Sequence, residues 1–259
     1  MSTVESVSSI PPITRRTDAA EVALASYGQL LELLADLSPS DWATPTECTG
    51  WRVDDMVRHL VGAARANESL RENARQQLWG VRHRREYGGN PLDATNARQI
   101  DGLAAVGPAD LVIALRDTAS AAVKGRMRLP APLRVITVPL AAGGSTASGM
   151  PRSVNLGHLV DVIYTRDVWM HTIDIARAVN RPVNADHPMN RRVVADVVAE
   201  WAGRHGQPIE LILTGPAGGH YRATNLDHGP TIEQDAIEFC RVVSGRESGD
   251  GLLATRVLF

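Results

Sequence analysis

Asp167, His171 and Asp174 follow one another at spacings of four and three residues in the run 166–174. The apolar residues Val160, Ile163 and Tyr164 just before them recur as on a helix, so the three groups share one helix face. Charged groups on the inward side of a helix are costly unless something compensates them. A divalent cation is one such compensation, and a carboxylate and an imidazole four residues apart can ligate a single ion.

A third ligand is available far upstream. Val53, Met56, Val57, Leu60, Val61 and Ala64 trace an amphipathic helix, and His59 falls at or beside its apolar face. The plainer alternative is that His59 and His171 are core histidines hydrogen-bonded to backbone carbonyls. Asp174 is placed to orient a ligand imidazole, or to pair with Arg166 or Arg177. Arg241 and Arg246 suit bidentate binding of a carboxylate, or serve as helix-end and surface charge. Cys48, two residues before Gly50 and without an evident base, reads as a packed small residue. Trp51 and Trp169 read as core. His158, His187, His205, His220 and His228 share no ligand spacing.

The elements that must position these groups are mostly helical. Helices are expected over about 17–37, from Val53 into the 70s, over 91–103 and 108–128, and over 155–179. The cluster Arg82, His83, Arg84 and Arg85 precedes a Gly-Gly-Asn-Pro turn and reads as a solvated face or an anion site. Residues 134–140 suggest a short strand or extended loop, and the Gly/Ser-rich run 141–151 a mobile loop. Past Arg181-Pro182 the character changes. A helix over 190–203 is followed by strand candidates at 208–215 and 220–224, a helix over 232–244 with Gly245 as its C-cap, and a final strand over 252–259. The expected division is a helical domain over 1–184 and an α+β domain over 185–259.

Composition narrows the function classes. With 44% hydrophobic and 22% charged residues in 259, the chain can bury a sizeable core without staples. A formal net charge of −2 leaves no electrostatic footprint for nucleic acid or an anionic membrane. Lys124 is the only lysine among the basic residues, a bias that fits a GC-rich genome. Two cysteines exclude a disulfide framework, and with no signal peptide or bilayer-length apolar run the expected location is the cytoplasm. A monomer and a homodimer are equally compatible with the sequence.

The motif Trp42-x-x-Pro45-Thr46-x-Cys48-x-Gly50-Trp51-x-Val53-x-Asp55-x-x-x-His59-Leu60 resembles the opening of the mycothiol-dependent maleylpyruvate isomerase family, among the DinB-like metal-binding helical bundles. Arg166-Asp167-x-Trp169-x-His171-x-x-Asp174 resembles that family's second motif. The tail from Asp235-Ala236-x-Glu238-Phe239-Cys240-Arg241 through Ser244-Gly245-Arg246 is similar to its small C-terminal domain, distantly like sterol carrier proteins. The resemblance spans essentially the whole chain. It implies a mainly α fold with an α+β part: a DinB-like four-helix bundle, then the small α+β domain.

By position, the resemblance makes His59, Asp167 and His171 ligands of a divalent metal, zinc, with an open site for mycothiol as co-substrate. On the residues' own chemistry rather than the resemblance, Asp174 and Arg241 are the candidates to assist the reaction, and Arg241 and Arg246 to hold a carboxylate of the thiol or substrate; the family's substrate-binding arginines have no matched positions in this chain. The isomerase itself carries Glu where this chain has Asp167, one methylene shorter. The activity implied is S-transfer to, or cis–trans isomerisation of, a small electrophile. The alternatives are a non-catalytic small-molecule or lipid-binding protein with a vestigial metal site, and a metal-dependent hydrolase.

Overall fold

The computed structural model describes residues 3–140, 150–223 and 229–259; the expected mobile loop over 141–151 falls almost wholly outside them. The chain forms two compact units, one of residues 14–146 and 152–183, the other of 1–13, 147–151 and 184–259. It opens on β1 (Val4–Ser6), which belongs to the second unit.

The first unit is the helical bundle, and it follows from the apolar periodicity. α1 (Ala19–Ala35), α2 (Val53–Glu68), α3 (Leu70–His83), α4 (Pro91–Asp101) and α5 (Pro108–Met127) lead to a short α6 (Ala131–Arg134). β2 (Thr137–Pro139) pairs antiparallel with β3 (Ser153–Asn155). α7 (Leu156–His158), a π-helical turn (Leu159–Ile163) and α8 (Tyr164–Ala178) then run on as one continuous rod. The core joins Tyr27, Leu30 and Leu34 of α1, Val53, Met56, Val57, Leu60 and Val61 of α2, Leu111, Leu115 and Val123 of α5, and Val168 and Ile175 of α8. Each such side chain, fully buried, contributes roughly 1.5–3 kcal/mol.

Local chemistry sets the boundaries. α2 starts where the Asp55 carboxylate accepts from the Arg52 backbone N–H at 3.1 Å, with Asp54 and Asp55 in the first turn favouring the positive helix end. The sequence expectation ran this helix into the 70s. Instead Ser69 adopts extended backbone and its hydroxyl caps Glu72 at 3.3 Å, so a separate α3 begins at Leu70. Pro91 at the first turn of α4 follows an Asn90 side-chain cap.

The second unit carries α9 (Pro188–His205), β4 (Ile209–Thr214), β5 (Gly219–Ala223), β6 (Thr231–Asp235) and α10 (Ala236–Ser244). Its sheet runs β1-β5-β4-β6, with β4 antiparallel to β5 and parallel to β6. The expectation that 1–184 is all bundle is corrected at its start, because β1 pairs parallel with β5, Glu5 opposite Tyr221. Two further readings are corrected. The expected helix over 232–244 begins only at Ala236, where the Asp235 carboxylate caps Ile237 and Glu238; the residues before it add a strand to β4. The expected final strand is a 3-10 turn over Gly251–Ala254 and an extended tail, anchored by Val257 N–H donating to the Val243 carbonyl at 2.9 Å. Gly245 does close α10, at φ +94°, a value natural to glycine. Among the described residues no helix is long and apolar enough to cross a membrane.

Candidate metal centre

α2 and α8 bring His59, Asp167 and His171 together. Nε2 of His59 lies 3.5 Å from Asp167 Oδ2, and Nε2 of His171 lies 3.4 Å from Asp167 Oδ1. One ligand atom from each of the three falls within 4.8 Å of the others. Both histidines are buried, while Asp167 keeps about a quarter of its side chain accessible, so the cluster opens to solvent on the carboxylate side.

The donor chemistry fits a cation. Each ring nitrogen lies 3.4 or 3.5 Å from one of the two carboxylate oxygens, so a single cation at ordinary zinc–nitrogen and zinc–oxygen distances of about 2.0–2.2 Å could be shared by the three side chains. Behind His171, Asp174 Oδ2 stands 3.0 Å from Nδ1. That carboxylate is fully buried and ionised it only accepts, so it fixes the ring proton on Nδ1 and leaves the Nε2 lone pair facing Asp167. A lone pair facing a carboxylate is repulsive until a proton or a metal stands between them. Asp167 is a methylene shorter than Glu, yet its two oxygens reach both rings.

Electrostatics in the metal-free protein agree. Burial works against charge on Asp167, but His171 and His59 prevail and hold its carboxyl well below the usual carboxylate range. Burial likewise works against charge on His171, yet Asp167 and Asp174 raise it well above an ordinary histidine. Metal-free, the pair therefore stores a proton where the ion would sit. Tyr164, one turn before Asp167, has its phenol pushed up by burial. Arg126 of α5 is buried nearby, with Nη1 donating to Thr165 Oγ1 at 3.3 Å; desolvation lowers its pKa.

The structure adds Gln99, which the sequence did not single out, and brings Cys48 and Trp51, expected as packed and core residues and found partly buried against the core, to the same site. Gln99 of α4 approaches His59 Nδ1 at 2.7 Å. Cys48 places Sγ 3.8 Å from Asp174 Oδ2 and forms with Asp174 and His171 a second group of ligand type. Trp51 is half-buried, its ring centroid 5.1 Å from that of His59 and 6.1 Å from that of His171. It also walls a cavity of about 450 Å³ shared with Asp55, Tyr87, Asn96, Ile100 and Asp101. Trp169 is core, as expected. Arg177 pairs with Glu47. Arg82, Arg84 and Arg85 are exposed at the end of α3 and the turn after it. Arg241 and Arg246 lie in the other unit, on and just after α10; Arg241 is buried and ion-paired with Glu238.

Exchanging the backing carboxylate tests its part. Asp174→Asn is expected to weaken zinc binding by roughly 10–100-fold while leaving the helical circular-dichroism spectrum intact. Unchanged affinity in a chelator competition would reduce Asp174 to packing.

Fold and cluster together define a helical-bundle protein with a His/Asp cluster of metal-ligand type. The model of the mycothiol maleylpyruvate isomerase N-terminal domain matches residues 23–176, and the chain belongs to that family. The whole chain is also similar to a crystal structure of the mycothiol-dependent maleylpyruvate isomerase, at TM-score 0.55 and 16% identity, covering 95% of this chain and 93% of that one. A histidine-to-alanine mutant of that enzyme gives the same TM-score at 15% identity. At these identities the likeness establishes a shared fold, mainly α with an α+β part. None of the curated proteins compared matches the chain.

Proposed function

We propose that the protein is a metal-dependent enzyme that uses a low-molecular-weight thiol, mycothiol, to isomerise a small electrophilic substrate about a cis double bond. The convergence of His59 Nε2, His171 Nε2 and the Asp167 carboxylate carries this reading. Three protein ligands leave a tetrahedral ion one open position, as in catalytic zinc sites. Zinc held there favours the thiolate form of a bound thiol near neutral pH. Family membership and the fold shared with a mycothiol-dependent isomerase support thiol use.

The protein's own groups have definite tasks. Asp174 holds the His171 ring by its Nδ1–H. Trp51 packs beside both rings. The thiolate sulfur adds to one alkene carbon, the former double bond rotates, and expulsion of the same sulfur restores the alkene in trans form, with no net change in atoms. In S-transfer the sulfur would stay attached.

The test is turnover of maleylpyruvate by zinc-loaded protein, with and without mycothiol. Turnover that needs both zinc and thiol is expected, with the trans isomer as product. A thioether product would move the reading to S-transfer, and turnover indifferent to thiol to hydrolysis. Protein that takes up no metal after zinc-replete purification would overturn it.

Zinc binding should also depend on pH. His171 carries a proton at neutrality in the metal-free protein, because its pKa is raised. Zinc must displace that proton, so affinity is expected to rise with pH until the raised pKa is passed, with proton release on binding. Stability of the metal-free fold moves the other way. The histidine's contribution is fully present below about 6.5 and lost as pH rises through the raised value. Calorimetric titration in buffers of different ionisation enthalpy reads the protons released; none at neutral pH would contradict the assignment.

A further inference from the structure

We infer that Gln99 and Gln76 are positioning residues that lock His59 as its Nδ1–H tautomer, so that its Nε2 lone pair faces the metal position. This rests on the metal reading above, but its first readout does not need the metal.

The direction of every hydrogen bond follows from one backbone carbonyl. Gly62 O can only accept, and Gln76 Nε2 lies 3.1 Å from it and 2.9 Å from Glu72 Oε1. The amide nitrogen of Gln76 must face these two acceptors, so its oxygen faces the other way. The Gln99 atom 2.8 Å from that oxygen is therefore its Nε2, which donates. Gln99 Oε1 is left facing His59 Nδ1 at 2.7 Å. An amide oxygen cannot donate, so Nδ1 carries the proton. A neutral imidazole has one N–H, which places the lone pair on Nε2, 3.5 Å from Asp167 Oδ2.

Without the relay the ring would do better as the other tautomer. It would donate Nε2–H to the Asp167 carboxylate and block its own ligand atom. The relay prevents this because both amides are buried, Gln76 at 5% and Gln99 at 8% exposure. A flip of either would leave buried polar atoms without partners, at about 1–3 kcal/mol each. The outer end is stable too. Arg75 hydrogen-bonds Glu72 and helps hold its pKa at about 2, so Glu72 remains an acceptor at any working pH. Close approach of α2 and α4 makes the arrangement possible: a Cβ on Gly62 would fall 2.6 Å from Gln99 Cβ.

The two rings thus turn Nε2 toward Asp167 by different means: a buried carboxylate behind His171 and an uncharged amide chain behind His59.

The test is ¹⁵N NMR of the histidine side chains in metal-free protein, at a pH high enough to leave His59 neutral, with its signal assigned by loss in His59→Gln. The wild type is expected to show Nδ1–H. Gln99→Leu, which deletes the acceptor, and Gln76→Leu, which lets Gln99 turn its nitrogen toward the ring, are both expected to shift His59 to Nε2–H. Each is expected to weaken zinc binding roughly 10–100-fold in a chelator competition. A merely structural role would lower the melting temperature without moving the tautomer. Wild-type His59 found as Nε2–H, or variants that keep Nδ1–H and full zinc affinity, would overturn the inference. Should Gln99→Leu not fold, the wild-type tautomer and Gln76→Leu still decide. Nδ1–H in a protein that takes up no zinc would uphold the relay and defeat the metal reading, so the two failures are distinguishable.

Discussion

His171→Ala and His59→Ala should each purify with little or no zinc where the wild type carries about one equivalent, and each should lose thiol-dependent turnover by roughly 100-fold or more. Outer partners of ligands are worth roughly 10–100-fold in metal affinity, and a ligand itself is worth more. The two variants should nonetheless differ in stability. His171 stands between two carboxylates, with Asp174 fully buried at 3.0 Å and Asp167 at 3.4 Å. Removing it takes the imidazolium from a buried acid, the kind of loss that costs roughly 3–5 kcal/mol. Removing His59 leaves a neutral amide oxygen without its donor, at about 1–3 kcal/mol. Metal analysis beside urea denaturation of the metal-free variants reads both effects. Equal destabilisation would contradict the asymmetry of the backing groups. Zinc retained in either variant would remove that residue from the ligand set.

The sequence shows the parts of this site that repeat at helical spacing and hides those that depend on packing between distant segments. Asp167, His171 and Asp174 are readable because one helix places them four and three residues apart. His59 is readable because it interrupts a clean apolar face. Gln99 and Gln76 carry no such sign, since a glutamine on an amphipathic helix reads as surface. Their significance arises when α3 and α4 close on α2, and the slight signal available was a glycine, Gly62, among the polar residues beside the apolar face of α2. Cys48 and Trp51 sit in an irregular connection, where periodicity says nothing about direction.

In the fold, the long helices and β4 follow directly from their apolar patterns. The errors lie where a single cap overrides periodicity, at Ser69 and Asp235. Another arises where strands are too short to show alternation, as in the three residues of β1. No local pattern announces that β1 crosses the sequence to pair with β5.

The second large effect belongs to the α+β unit. Trp201→Ala should destabilise that unit by about 3–5 kcal/mol, the usual cost of deleting a buried indole. Trp201 is fully buried on α9, with its ring edge-to-face to Phe239 of α10 at a centroid separation of 5.2 Å. Its Nε1–H donates to the Leu252 carbonyl at 3.1 Å, tying the C-terminal tail to the helix. Alanine therefore opens a large cavity, removes the aromatic contact and leaves the carbonyl without its donor. Phenylalanine would restore most of the volume but not the hydrogen bond, so Trp201→Phe should cost less, about 1–3 kcal/mol. All three proposed metal ligands lie in the bundle, so zinc content should stay near wild type in any Trp201→Ala protein that remains folded. Thermal unfolding beside metal analysis checks both effects. Loss of zinc in a folded Trp201→Ala protein would contradict a ligand set confined to the bundle. A melting temperature unchanged from wild type would contradict the packing described around the indole.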